Sequence, residues 1–245
     1  MRKILAYILT SIHLLFFGLG IVIFDLPQRI AMAIGGQRAQ QKTVQLLNFF
    51  LTWSLLLLGS IPRWRQATDL PTDRPLIMVS NHQSLYDIPI FFWKMRKHYV
   101  KFISKIELSK GVPSVSYNLR KGGNALIDRK DPRQALPEIK RFAEFIEEHN
   151  YAAVIFPEGT RSRDGVPKFF SPNGLKTMLK YAPSALVVPV SINNSWKLVR
   201  FGKFPMDIGV QPTWDIHPPI DPKGRPFEEV FEQVQAIIKE GIVLK

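Results

Sequence analysis

Apolar residues crowd the first sixty positions of the chain and then give way to short runs separated by polar turns. Residues 4–24 are almost unbroken in their apolarity, with His13 the one ionisable side chain. As a helix rising 1.5 Å per residue the run is about 30 Å long, near the hydrocarbon thickness of a bilayer. Arg2 and Lys3 precede it, and Asp25, Pro27 and Arg29 end it. A second run covers 44–61 and carries Gln45, Asn48 and Thr52, three and four apart and so on one helical face. That face suits protein or headgroups rather than lipid tails, and Trp53 and Trp64 suit an interface. Basic residues flank both sides of both runs, so two full crossings would leave the orientation undecided. A hairpin dipping into one leaflet avoids the conflict and is the expected arrangement. A cleaved leader fits less well. The run is long for one, and the polar residues 25–29 separate it from the small-residue Ala31-Met32-Ala33.

Beyond a polar, proline-bearing linker at 63–75 the pattern alternates. Short apolar runs predict strands at 76–79, 99–103, 125–127, 152–156, 186–192 and 208–216. Helical spacing predicts helices near 86–94, 132–149, 174–181 and 228–240. The clearest is 132–149, where Ala135, Ile139, Phe142 and Ile146 share a face and Pro132 suits the first turn. Residues 111–123 read as a loop with a single helical turn. The order predicts an α/β fold, a largely parallel sheet flanked by helices, behind an N-terminal two-helix membrane-associating hairpin. The expected segments are 1–65 and 66–245.

The formal net charge of +13 and pI of about 10.0 favour polyanionic partners. The apolar hairpin turns that preference toward anionic membrane lipids and away from nucleic acid. The chain has no cysteine, which excludes disulfides, thiolate metal sites and a cysteine nucleophile. There is no phosphate-binding Gly-x-x-x-x-Gly-Lys loop, no Gly-x-Gly-x-x-Gly, no Gly-x-Ser-x-Gly elbow and no zinc-ligand spacing. No metal and no cofactor are expected.

Two motifs carry candidate chemistry, and each follows a predicted strand, where α/β sheets place their ligand sites. In Asn81-His82-Gln83-Ser84-Leu85-Tyr86-Asp87, a histidine that is to act as a base needs a fixed tautomer, and a carboxylate on its other ring nitrogen supplies it. His82 and Asp87, five apart, can meet if His82 lies on the turn and Asp87 in the first helical turn. Pro89 supports that placement. The plainer reading is a helix cap, Ser84-x-x-Asp87. In Phe156-Pro157-Glu158-Gly159-Thr160-Arg161-Ser162, Gly159 permits a tight turn and Arg161 presents a planar fork matching phosphate oxygens. Glu158 is placed to hold Arg161 or a substrate hydroxyl; the plainer reading is a surface turn with an ion pair. Lys105 and Arg129 also follow predicted strands, as solvated cations or as further phosphate ligands.

Together the two motifs resemble those of the glycerolipid acyltransferase family, most of all its bacterial 1-acyl-glycerol-3-phosphate acyltransferases. Asn81 to Asp87 matches the family's His-x4-Asp block, and Phe156 to Ser162 its Glu-Gly-Thr-Arg block. Ile127-Asp128-Arg129 and Val188-Pro189-Val190 resemble the other two, and Lys105 falls where the family usually has lysine. The likeness covers roughly residues 70–220. It departs where the family often has Phe-Lys-x-Gly, because here the stretch reads Lys168-Phe169-Phe170-Ser171-Pro172-Asn173-Gly174. The resemblance implies acyl transfer from acyl-CoA or acyl carrier protein to lysophosphatidic acid, giving phosphatidic acid. It implies His82 as base and Asp87 as its orienting acid. Lys105, Arg129, Glu158, Gly159, Thr160 and Arg161 would bind substrate. Another lysophospholipid, or glycerol-3-phosphate, is the alternative acceptor. The expected location is a membrane, at the cytoplasmic face of a bacterial inner membrane.

Overall fold

The structure is a computed structural model and describes residues 2–244; Met1 and Lys245, the outer ends of the two expected segments, lie outside the described residues. Among the described residues, seven strands form one sheet. In chain order they are β1 (Arg63–Gln66), β2 (Leu76–Ser80), β3 (Lys101–Lys105), β4 (Ala125–Ile127), β5 (Ala152–Ile155), β6 (Leu186–Asn193) and β7 (Thr213–Ile216). Their spatial order is β1-β7-β6-β2-β5-β3-β4. From β6 to β4 every pairing is parallel; β7 runs antiparallel to β6, and β1 runs parallel to β7.

The helices are α1 (Arg2–Ile23), α2 (Asp25–Trp53), α3 (Pro89–Lys94), α4 (Val115–Lys121), α5 (Pro132–His149), α6 (Pro172–Tyr181) and α7 (Phe227–Glu240). They cover both faces of the sheet, which is why β2, β5 and β6 read as continuous apolar runs and are buried at every position. Side chains alternate across β2. Ile77 and Val79 join a core with Phe142 of α5, Leu175 of α6 and Val234 of α7. Leu76 and Met78 join an opposite core with Phe91 of α3, Val44 of α2 and Trp214 of β7. Each fully buried side chain of this kind contributes roughly 1.5–3 kcal/mol over its exposed state. Asp131 starts α5 by accepting from the Arg133 and Gln134 amides.

Four local expectations need correction. The linker at 63–75 begins with an edge strand, β1, whose mostly exposed Arg-Trp-Arg-Gln sequence carries no run or alternation of apolar residues. Trp64, expected at a lipid interface, packs edge-on against Phe91 with ring centroids 5.5 Å apart. The strand expected over 208–216 is confined to Thr213–Ile216. Residues 111–123 include a full helix, α4.

The N-terminal segment is more folded than a simple hairpin. α2 starts at Asp25, well before the second apolar run, and breaks at Gly36, whose φ of 64° and ψ of −160° belong to no helix. Gln40 donates across the break to Gln28. The part of α2 beyond Gly36 then runs back along α1, with Leu47 and Leu51 against Gly20. Its polar face packs inward on protein: Gln45 donates to the Arg96 carbonyl, and Asn48 and Thr52 are buried. The face of α1 turned inward carries Ala6, Thr10 and His13, while Ile4, Ile8, Leu15, Phe16 and Leu19 are exposed. A helix this long and apolar, with so few buried positions, suits association with a membrane.

Candidate active site

The first motif leaves the end of β2 and stays buried through Ser84. Asn81 fixes the exit by bonding the strand beside it in both directions. Its side-chain amide donates to the Ile192 carbonyl at 2.8 Å and accepts from the Ile192 amide at 2.7 Å. His82 then stacks on Phe156 with ring centroids 4.1 Å apart. Its Nδ1 meets Asp87 Oδ2 at 2.8 Å. The same carboxylate oxygen accepts from the Gln83 and Ser84 amides at 2.6 and 2.9 Å. The helix cap and the His–Asp pair are therefore both present, and one oxygen serves both.

Asp87 is fully buried, and its other oxygen is also occupied. Oδ1 accepts from the Ser84 hydroxyl at 3.3 Å and from the hydroxyl of Ser195, which lies just past the end of β6. The Ser195 and Trp196 amides donate to Gln83 Oε1, holding that segment against the motif. A buried carboxylate with this many donors is fixed in place. With Nδ1–H donated to Asp87, His82 presents the lone pair of Nε2 outward. That nitrogen accepts from Arg161 Nε at 3.4 Å. The ring is not sealed in, since 8% of the His82 side chain reaches solvent.

The second motif leaves the end of β5 through Pro157. Gly159 takes a φ of +65°, closing a turn in which its amide donates to the Phe156 carbonyl. Glu158 does not pair with Arg161 among the described residues. Oε1 accepts from the His82 amide at 2.7 Å and Oε2 from the Lys168 amide at 2.9 Å. Burial raises the Glu158 carboxyl above its usual range, and these two amides oppose the rise. The Ser162 amide donates to the His82 carbonyl at 2.8 Å. The two motifs are thus laced together through backbone groups, with Glu158 as the clasp.

Three of the predicted cations lie along this edge. Arg161 is exposed beside the imidazole. Arg129 donates to the Gly159 carbonyl, and desolvation and then the Arg161 charge push its guanidinium below the usual range. Lys105 is exposed at the end of β3, in register with Ile127, and makes no hydrogen bond to the other two among the described residues. Thr160 is exposed on the turn. The displaced lysine of the sequence, Lys168, sends its ammonium to the Arg161 carbonyl at 2.9 Å, so it too reaches the site. Ser195, Ser162 and the Lys168 contact carry no signal in local spacing.

A profile of the Acyltransferase family matches residues 62–193. The chain belongs to this family. Among its relatives, the 1-acyl-sn-glycerol-3-phosphate acyltransferase of Helicobacter pylori strain J99 is 32% identical over 173 residues, covering 65% of this chain and 66% of that protein. The protein of that name from Chlamydomonas reinhardtii is 31% identical over 133 residues, 54% of this chain. The match spans only 38% of the Chlamydomonas protein's length. The crystal structure of the 1-acyl-sn-glycerophosphate acyltransferase from Thermotoga maritima superposes with a TM-score of 0.81 at 28% identity, covering 98% of this chain and 96% of that one. The acyltransferase fold therefore takes in the N-terminal helices as well as the sheet.

Proposed function

We propose that this protein transfers a fatty acyl group from acyl-CoA or acyl carrier protein to the free hydroxyl of 1-acyl-glycerol-3-phosphate. The observation that carries the reading is the 3.4 Å approach of Arg161 to His82 Nε2, which sets a base and a phosphate-matching cation at one spot. His82 Nε2 takes the proton of the acceptor hydroxyl. Asp87 holds the ring and balances the charge of the imidazolium. The oxygen attacks the thioester carbonyl, the C–S bond breaks, and the imidazolium returns its proton to the leaving thiolate. The acyl group passes straight from sulfur to oxygen, in keeping with a chain that has no cysteine to carry it. Arg161, Arg129 and Lys105 gather the phosphate, and the Glu158-Gly159-Thr160 turn sets the distance between that phosphate and the base. The relatives named for this reaction support the same acceptor.

The test is turnover of lysophosphatidate by the purified chain with each thioester donor, and with glycerol-3-phosphate as a competing acceptor. His82→Ala should lose on the order of 10²- to 10⁴-fold in rate while still sedimenting with vesicles. Wild-type turnover in that variant, or preference for glycerol-3-phosphate, rejects the proposal.

A further inference from the structure

A second cleft, of about 620 Å³, lies at the start of α1 and is lined by no residue of the site described above. One wall is α1, with Arg2, Lys3 and Tyr7; the other is a loop after β6, with Arg200, Phe201 and Phe204. The loop is tied to the helix. Tyr7 and Phe204 meet edge to face with centroids 5.3 Å apart, and the Met206 amide donates to Thr10 Oγ1 at 3.0 Å. Asp207, at the floor, accepts from Arg200 at 2.6 Å and from Arg2 at 3.4 Å. Three cations thus face one carboxylate, leaving a formal excess of positive charge, and Lys203 adds another on the exposed loop.

The cleft is also rimmed by rings that a soluble anion would not need. Phe201 is 63% exposed and Phe204 51% exposed. From its mouth the exposed aliphatic face of α1 continues through Ile4, Ile8 and Leu15. Cations beside exposed aromatic rings, bordering an apolar helix face, are the composition of a headgroup boundary. The charge asks for an anion, and the rings and the helix face ask for acyl chains attached to it.

We propose that this cleft binds one anionic phospholipid of the bilayer, its phosphate against Lys3, Arg2 and Arg200 and its chains along α1. The loop carrying Phe201 leaves β6 at the same sheet edge as Ser195, so the bound lipid would fix which edge of the molecule faces the membrane. The inference does not depend on the acyl-transfer reading.

The experiment is sedimentation of the full chain with vesicles of phosphatidylcholine alone or with added phosphatidylglycerol. Lys3→Gln should cut the preference for phosphatidylglycerol about fivefold, since a basic residue at such a surface is worth about 1 kcal/mol. Phe201→Ala with Phe204→Ala should weaken binding to both vesicles. Because Arg200 neutralises a buried carboxylate, Arg200→Gln is the second variant, read alongside its thermal unfolding. Lys239→Gln, on the exposed last turn of α7, controls for diffuse charge. Thermal unfolding of the full chain should be unchanged in Lys3→Gln, whose side chain is exposed. The proposal fails if Lys3→Gln keeps the full preference, or if Lys239→Gln lowers it equally. It also fails if inorganic phosphate at constant ionic strength releases the protein, which would mark a pocket for soluble anions.

Discussion

Asp87 shows how much a single carboxylate can be asked to hold. It caps the turn after β2, orients the imidazole and is itself gripped by a hydroxyl 108 residues further along. Ser195→Ala should therefore leave substrate affinity alone and lower kcat about tenfold, the loss expected when one hydrogen bond to a buried charge of roughly 1.5 kcal/mol is removed. The split between kcat and KM is the discriminating readout, because a role in holding the acid lowers kcat and leaves KM where it was. An unchanged kcat with a lowered melting temperature would make Ser195 structural only. The His–Asp pairing was legible in the sequence because both residues sit on one short turn. Ser195 was not, because its partnership is made by strand order and leaves no trace in spacing. The partners of Glu158 were not legible: the sequence showed a carboxylate beside an arginine, and the fold turned it toward two backbone amides.

Elements with an apolar buried side announced themselves; elements without one, such as α4, whose buried face is mostly Ser116 and Asn118, did not. α5 has the boundaries its periodicity predicts, because one face is core and the other is solvent. β1 escaped notice because an edge strand of mostly exposed residues has no alternation to display. The bend of α2 at Gly36 was equally silent, since a glycine within a helical stretch gives no angle away. One buried link between elements has a measurable consequence. Lys101 of β3 is almost fully buried, with its ammonium donating to Gln41 of α2 at 2.7 Å. Burial lowers its pKa from 10.5 to about 7. The depressed value means that the unfolded chain holds this proton where the folded chain has released it. The Lys101 contribution to stability therefore rises as pH goes from about 7 toward 10.5, and the penalty is full below about 7. Urea unfolding across that range should show a rise of a few kcal/mol that is missing in Lys101→Met. Parallel curves for the two proteins would remove Lys101 from the account.

At the scale of the whole molecule, the N-terminal helices and the sheet share their interior. Leu55 and Leu58, just beyond α2, sit in one apolar cluster with Tyr86 of the first motif and with Leu198 and Met206. Val44 belongs to the core under the sheet. A chain begun at Arg63 would expose these faces together, so it should express as aggregate, and its soluble fraction should lack the cooperative unfolding of the full chain. A monomeric, cooperatively folding truncation would show the helices to be dispensable for folding. The broad order of strands and helices, and the apolar character of the start, could be read from hydropathy alone. Which face of the N-terminal helices turned inward was visible only in part, through Gln45, Asn48 and Thr52.

His13 gives the docking of α1 a further meaning. Wholly buried, it donates Nδ1–H to the Ser54 carbonyl at 3.1 Å, and its Nε2 receives the hydroxyl of Tyr86, 3.0 Å away. Tyr86 is the immediate neighbour of Asp87. A helix that slid by one turn would strand that hydroxyl next door to the acid. The seat of α1 and the turn that carries the His82–Asp87 pair are in this way geared to each other: displacing the helix unmakes a hydrogen bond one residue from the acid.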